Sequence, residues 1–135
     1  MRDAPLYRVI YLSRIRILPE QQHTELARIL ADARARNAAS AVTGALLFNG
    51  TGFAQALEGA LPEVAAIFER IQRDPRHGDV VVLESAAVPD RAFPDWAMAY
   101  AGEVEDADLD PATTEAGRVL ALLHALVGTT VDLPP

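Results

Sequence analysis

Cysteine is absent from this chain of 135 residues. That excludes disulfides, thiolate metal sites, cysteine nucleophiles and any thiol adduct of a cofactor. No N-terminal stretch has the form of a signal peptide, since Met1 to Pro5 is polar and the apolar run after it is broken by Arg8 and Arg14. No uninterrupted apolar segment is long enough to cross a bilayer. The expectation is a soluble, cytoplasmic protein with no membrane partner. Internal repeats and low-complexity tracts are missing, as are a phosphate-binding loop, a dinucleotide fingerprint and a serine elbow. His23, His77 and His124 lack metal-ligand spacing, so no metal is expected.

What is present is ordinary globular composition, 50% hydrophobic and 23% charged, far too apolar for a disordered chain. The length suits one domain whose core needs no covalent staple. A formal net charge of −7 repels phosphate at long range and disfavours direct nucleic-acid binding. A mild basic cluster at Arg14, Arg16, Arg28, Arg34 and Arg36 still suits a small phosphate-bearing ligand.

Period-2 alternation predicts a strand over 6–12, with Tyr7, Val9 and Tyr11 on one face. Pro19 and Glu20 open a helix to about Arg36, with Leu26, Ile29, Leu30 and Ala33 as its apolar stripe. Residues 42–48 and 53–58 read as strands joined by the Asn49-Gly50-Thr51-Gly52 turn. Pro62 and Glu63 open a second helix that buries Val64, Ile67, Phe68 and Ile71. The continuous apolar run Val80–Glu84 predicts a central strand covered on both faces. A short strand follows over Trp96–Tyr100, then an acidic stretch over 103–112 and a helix over 113–127. The order βαββαβ, with a fifth strand and a C-terminal helix, is an α+β ferredoxin-like sandwich. Both crossover helices fall on one sheet face. The last helix, or a partner chain, would cover the other.

Three polar residues sit where a core is expected. Gln55 shares the helix-covered face with Phe53 and Leu57, where an unsatisfied amide costs a few kcal/mol. It either reaches solvent or backbone at an edge, or serves a ligand. Asn37 lies eleven residues after Leu26, near the buried stripe, and either caps the helix or lines a site. Tyr11 fits a core, yet its hydroxyl wants a partner. Together they outline a possible ligand site between the helices.

The blocks LYRVIYLS (6–13), NAASAVTGALLF (37–48), GFAQALEG (52–59), RIQRDPRH (70–77) and RAFPDWAM (91–98) resemble the BLUF family, blue-light sensors that use FAD. The resemblance covers about residues 6–101. It implies a flavin ring between the two crossover helices. Tyr11 then matches the photoactive tyrosine and Gln55 the glutamine bridging tyrosine and flavin. Asn37 matches the asparagine that bonds the ring's polar edge. Trp96 and Met98 match the last-strand pair linked to output, and Arg76 and His77 a loop beside the ring. The resemblance implies light-driven electron and proton transfer from Tyr11, after which Gln55 changes its hydrogen bonds and absorption shifts slightly to the red. Arg36 stands where many members carry a second asparagine, and an arginine there suits the FAD phosphates or a ring carbonyl. The residues alone leave FAD and FMN both open.

The implied protein is a photosensor with no net turnover, not an enzyme. Residues 1–102 would form the flavin domain, and 103–135 a linker and helix packed on the open sheet face or at an oligomer interface. With about 35 residues after the family region, the signal is expected to pass to a separate protein, and a homo-oligomer is expected. The rival readings are a flavin-free interaction module and a small acylphosphatase-like hydrolase on the same fold.

Overall fold

The computed structural model describes residues 5–95, 97–105 and 107–127. The order is β1 (Leu6–Ile15), a 3-10 turn (Pro19–Gln21), α1 (Gln22–Ala39), β2 (Thr43–Phe48), β3 (Gly52–Ala60), α2 (Leu61–Arg73), β4 (His77–Ala87), β5 (Ala99–Glu103) and α3 (Ala116–Val127). The five strands form one sheet in the order β4-β1-β3-β2-β5. Among the described residues, the β2–β5 pairing alone is parallel. This is the ferredoxin-like arrangement with one strand added.

Alternation along the inner strands divides the core into two layers. Val9, Tyr11, Phe53 and Leu57 face α1 and α2, which contribute Leu26, Leu30, Ala33, Val64, Ile67 and Ile71. Ile10, Leu12, Ala54 and Ala56 face the other way, against Val119 and Leu123 of α3. The β2–β3 hairpin is pinned by Asn49, whose Oδ1 accepts from Thr51 N at 3.0 Å and Gly52 N at 2.8 Å. Gly50 takes the positive φ of 95° that the turn needs.

Two sequence expectations need correction. Val80–Glu84 belongs not to a central strand but to β4, at the sheet edge, where Val81 and Val82 are 36% and 44% exposed. Its register slips twice against β1, and Asp79 holds a φ of 49°, the marks of a bulged edge. An apolar run alone cannot tell an edge from a centre. The fifth strand begins at Ala99 rather than Trp96, because the segment after Phe93 is tied to α1 before it joins β2.

Candidate functional site

α1 buries Leu26, Leu30, Ala33 and Asn37, one unbroken stripe in which an amide takes the last core position. The helix runs on to Ala39 and the left-handed residue is Ala41, so Asn37 is not a cap. Its side chain is fully buried, and Nδ2 donates to Ala97 O at 2.8 Å. Its Oδ1 has no hydrogen-bond partner among the described residues, and neither has the buried Arg36 Nε beside it. A native core rarely leaves such atoms unpaired.

Tyr11 and Gln55 stand directly opposite each other on the central pair β1 and β3. Both are buried, and Tyr11 Oη donates to Gln55 Oε1. Gln55 Nε2 points to Met98 Sδ at 3.5 Å, a weak acceptor that leaves the donor under-used. Gln55 therefore reaches neither solvent nor an edge. The Tyr11 ring lies 5.2 Å from that of Phe68 on α2. Burial pushes the Tyr11 phenol well above its ordinary range, against the pull of Arg36. It is a neutral donor at every physiological pH.

Between the C-terminal ends of α1 and α2 runs an open groove of about 550 Å³, lined by Asp32, Arg36, Arg70, Arg73, Asp74 and Arg76. Burial lowers the Arg36 guanidinium from its ordinary value, as does Arg70. Burial alone would raise Asp74, but the hydrogen bonds and charge of Arg76 hold its carboxyl below the usual range. Arg76 is committed to carboxylates: its Nη2 lies 2.6 Å from Asp74 Oδ2 and 3.5 Å from Asp32 Oδ2. It frames the groove.

His77, at the start of β4, pairs through Nδ1 with Ser13 Oγ at 3.1 Å and stands edge-on to Phe53. Burial lowers its pKa, with Arg76 and Arg36 in the same direction and Asp74 opposing. Between that lowered value and about 6.5, the unfolded chain takes a proton that the folded chain resists. Stability is then full above the window and falls as pH drops through it. His77→Gln, which keeps a polar partner for Ser13, should flatten that slope in thermal melts across about pH 5 to 7. An unchanged slope would assign the acid sensitivity elsewhere.

Of the expected site residues, Tyr11, Gln55 and Met98 are in direct contact, Asn37 reaches the residue before Met98, and Arg36 and Arg76 line the groove. His77 sits behind Phe53, and Trp96 lies outside the described residues. Sequence reasoning missed Ser13, Glu58 and Arg91. Glu58 is fully buried opposite Arg8, whose Nε is 2.9 Å from Oε2. The Tyr11–Gln55 pairing, counted three residues along each strand, gives that pair as well. Arg91 gave no local signal, because its partners lie far off in sequence.

A flavin ring offers two carbonyl acceptors, one N–H donor and a ring-nitrogen acceptor along one edge. The residues fit it. Asn37 Oδ1 can accept the N–H, and Gln55 Nε2 can leave sulfur for a better acceptor. Arg36 supplies a buried cation for a carbonyl or phosphate.

Residues 6–99 match the family described as BLUF, sensors of blue-light using FAD. The chain is 33% identical over 102 residues to the photoactivated adenylate cyclase subunit beta of Euglena longa, covering 75% of itself and 12% of that protein. It is 40% identical over 85 residues to the blue light- and temperature-regulated antirepressor BluF of Escherichia coli, covering 63% of itself and 21% of the relative. It therefore spans a small part of these curated relatives. Among solved structures, the dark state of BlrB, a BLUF protein, superposes with a TM-score of 0.78 at 29% identity, over 92% of this chain and 96% of that one. Klebsiella pneumoniae BlrP1 gives 0.69 at 31% identity, over 92% and 33%. With the match running through β1 to β4 and both crossover helices, this chain belongs to the BLUF family of blue-light flavin sensors.

Proposed function

We propose that this chain holds FAD by its ring between α1 and α2, against Tyr11, Gln55 and Asn37, and reports blue light by exchanging the hydrogen bonds of Gln55. The observation that carries the reading is a buried polar line, Tyr11 to Gln55 to Met98, beside the unpartnered Asn37 Oδ1 and Arg36 Nε. When bound and excited, the flavin supplies a strong one-electron oxidant. Tyr11 is the electron donor, since its phenol is desolvated and already directed at an acceptor. An oxidised phenol is strongly acidic, so the Tyr11 proton moves to Gln55 Oε1. The electron then returns to the phenol with a proton: the same one from Oε1, which leaves the carboxamide free to turn, or one given up by Nε2 while Oε1 keeps its own, which leaves it tautomerised. Either way donor and acceptor sides are exchanged. Asn37 holds the ring edge throughout, and Arg36 with Arg70 favours the phosphates at the groove. Arg76 keeps the groove rim in place through Asp74, and His77 supports it from behind.

FAD rather than FMN is favoured by the family's description and by a groove with charges beyond the ring site. Residues 1–102 act as the sensor domain, and the signal leaves through Met98, Trp96 and the helix within 103–135. It passes to a separate signalling protein of the cytoplasm, with the chain working as a homo-oligomer. Exposed Val81 and Val82 on the β4 edge agree with self-association.

The test is an absorption spectrum of protein reconstituted with FAD, and separately with FMN, before and after blue light. A small red shift that reverts in the dark is expected. Protein that stays colourless with either flavin would overturn the sensor reading and favour the flavin-free interaction module.

A further inference from the structure

The stretch from Arg91 to Met98 touches both layers of the domain. At its end, Met98 lies on Gln55 in the helix-facing layer. At its start, Phe93 is buried in the opposite layer with α3, its ring centroid 6.0 Å from that of His124. What holds the start is one carboxylate. Glu58, fully buried near the end of β3, accepts from Ala92 N through Oε2 and from Phe93 N through Oε1, each at 2.9 Å. Arg8 balances its charge. Arg91 closes the hold from the outside, donating to Thr43 Oγ1 at 2.8 Å and to Glu58 O and Ala41 O at 2.9 Å each. Two backbone amides on the two oxygens of one carboxylate fix orientation as well as position.

We propose that Glu58 is the positioning residue for signal transfer, the pivot that makes a shift at Met98 reach α3 through Phe93. The inference rests on the sensor reading above. Glu58 is on the same strand as Gln55 but faces the other layer, so it takes no part in ring contacts or proton transfer. A segment free at Phe93 would absorb a displacement of Met98 locally. A segment clamped there passes it to His124 and the helix.

The test compares wild type with Glu58→Gln, which keeps shape and removes the charge and one acceptor. Without flavin, backbone exchange at Ala92 and Phe93 should quicken on the order of tenfold or more, the loss of a charge-assisted bond. With FAD, the red shift should persist, while the light-induced change in the His124 ring resonances, which sense the Phe93 ring, should vanish. Faster exchange with an undiminished His124 response would overturn the proposal. So would unchanged exchange. A wild-type spectrum indifferent to light would strike the sensor reading instead, and the flavin-free exchange would still decide whether Glu58 holds the segment. Should Glu58→Gln fail to fold, Arg91→Gln loosens the same tripeptide from a half-exposed side chain and is judged by the same readouts.

Discussion

Gln55→Leu should remain yellow and lose the light-induced red shift altogether. Leucine has nearly the volume of glutamine and suits a position 5% exposed between Tyr11 and Leu46, so the slot for the ring survives. What disappears is the acceptor of the Tyr11 hydroxyl and the donor now aimed at Met98 Sδ. Leaving the phenol unpaired costs about 1–3 kcal/mol, against which an apolar side chain in an apolar layer recovers part. Stability should therefore fall only modestly while the photochemical amplitude falls to zero. Difference spectra on the flavin-loaded variant read the second quantity and urea titration the first. A red shift of wild-type size in the variant would remove Gln55 from the switch.

Gly44→Ala should be the most damaging added methyl among the described glycines. A Cβ at Gly44 would sit 2.0 Å from the backbone oxygen of Ala56 and 3.1 Å from its carbonyl carbon. Nothing flexible can yield there, so β2 and β3 must part midway between the Leu46–Gln55 and Thr43–Glu58 pairs. Overpacking of side chains costs about 1–3 kcal/mol. Displacing a central ladder should exceed that, a large share of the roughly 5–15 kcal/mol a domain holds. The urea midpoint should drop accordingly, and flavin should be lost with it. Gly50→Ala is the control, since nothing lies within 4 Å of its Cβ and only its φ of 95° opposes the change. Equal midpoints for the two variants would contradict the close approach at Gly44.

The fold was readable because alternation and helical spacing are clean in the elements that build the core. Tyr11, Gln55 and Asn37 stood out for the same reason, as polar residues inside apolar periods. The pairing of Tyr11 with Gln55, 44 residues apart, needed the register of their strands, which the family resemblance anticipated and the ladder explains. The β4 edge was misread because Val80 to Leu83 carries no period. Only the place of a strand in the sheet decides whether its second face is covered. Glu58 and Arg91 escaped notice because their partners lie 33 to 50 residues away, where no local pattern reaches. Arg76, expected beside the ring, lines the groove and pairs with Asp74 of its own loop, a partner two residues away that the sequence did not single out.

Tyr11 and Gln55 meet across a pleated ladder that admits only whole-residue steps. Sliding β1 by one residue would bring Tyr11 opposite Ala54 or Ala56 and turn Gln55 to the far side of the sheet. Sliding it by two would confront the phenol with Phe53 or Leu57. On the proposed switch, insertions and deletions in either strand would silence the photochemistry and would not tune it by degrees. Gradual adjustment of colour or lifetime must come from the side chains around the pair.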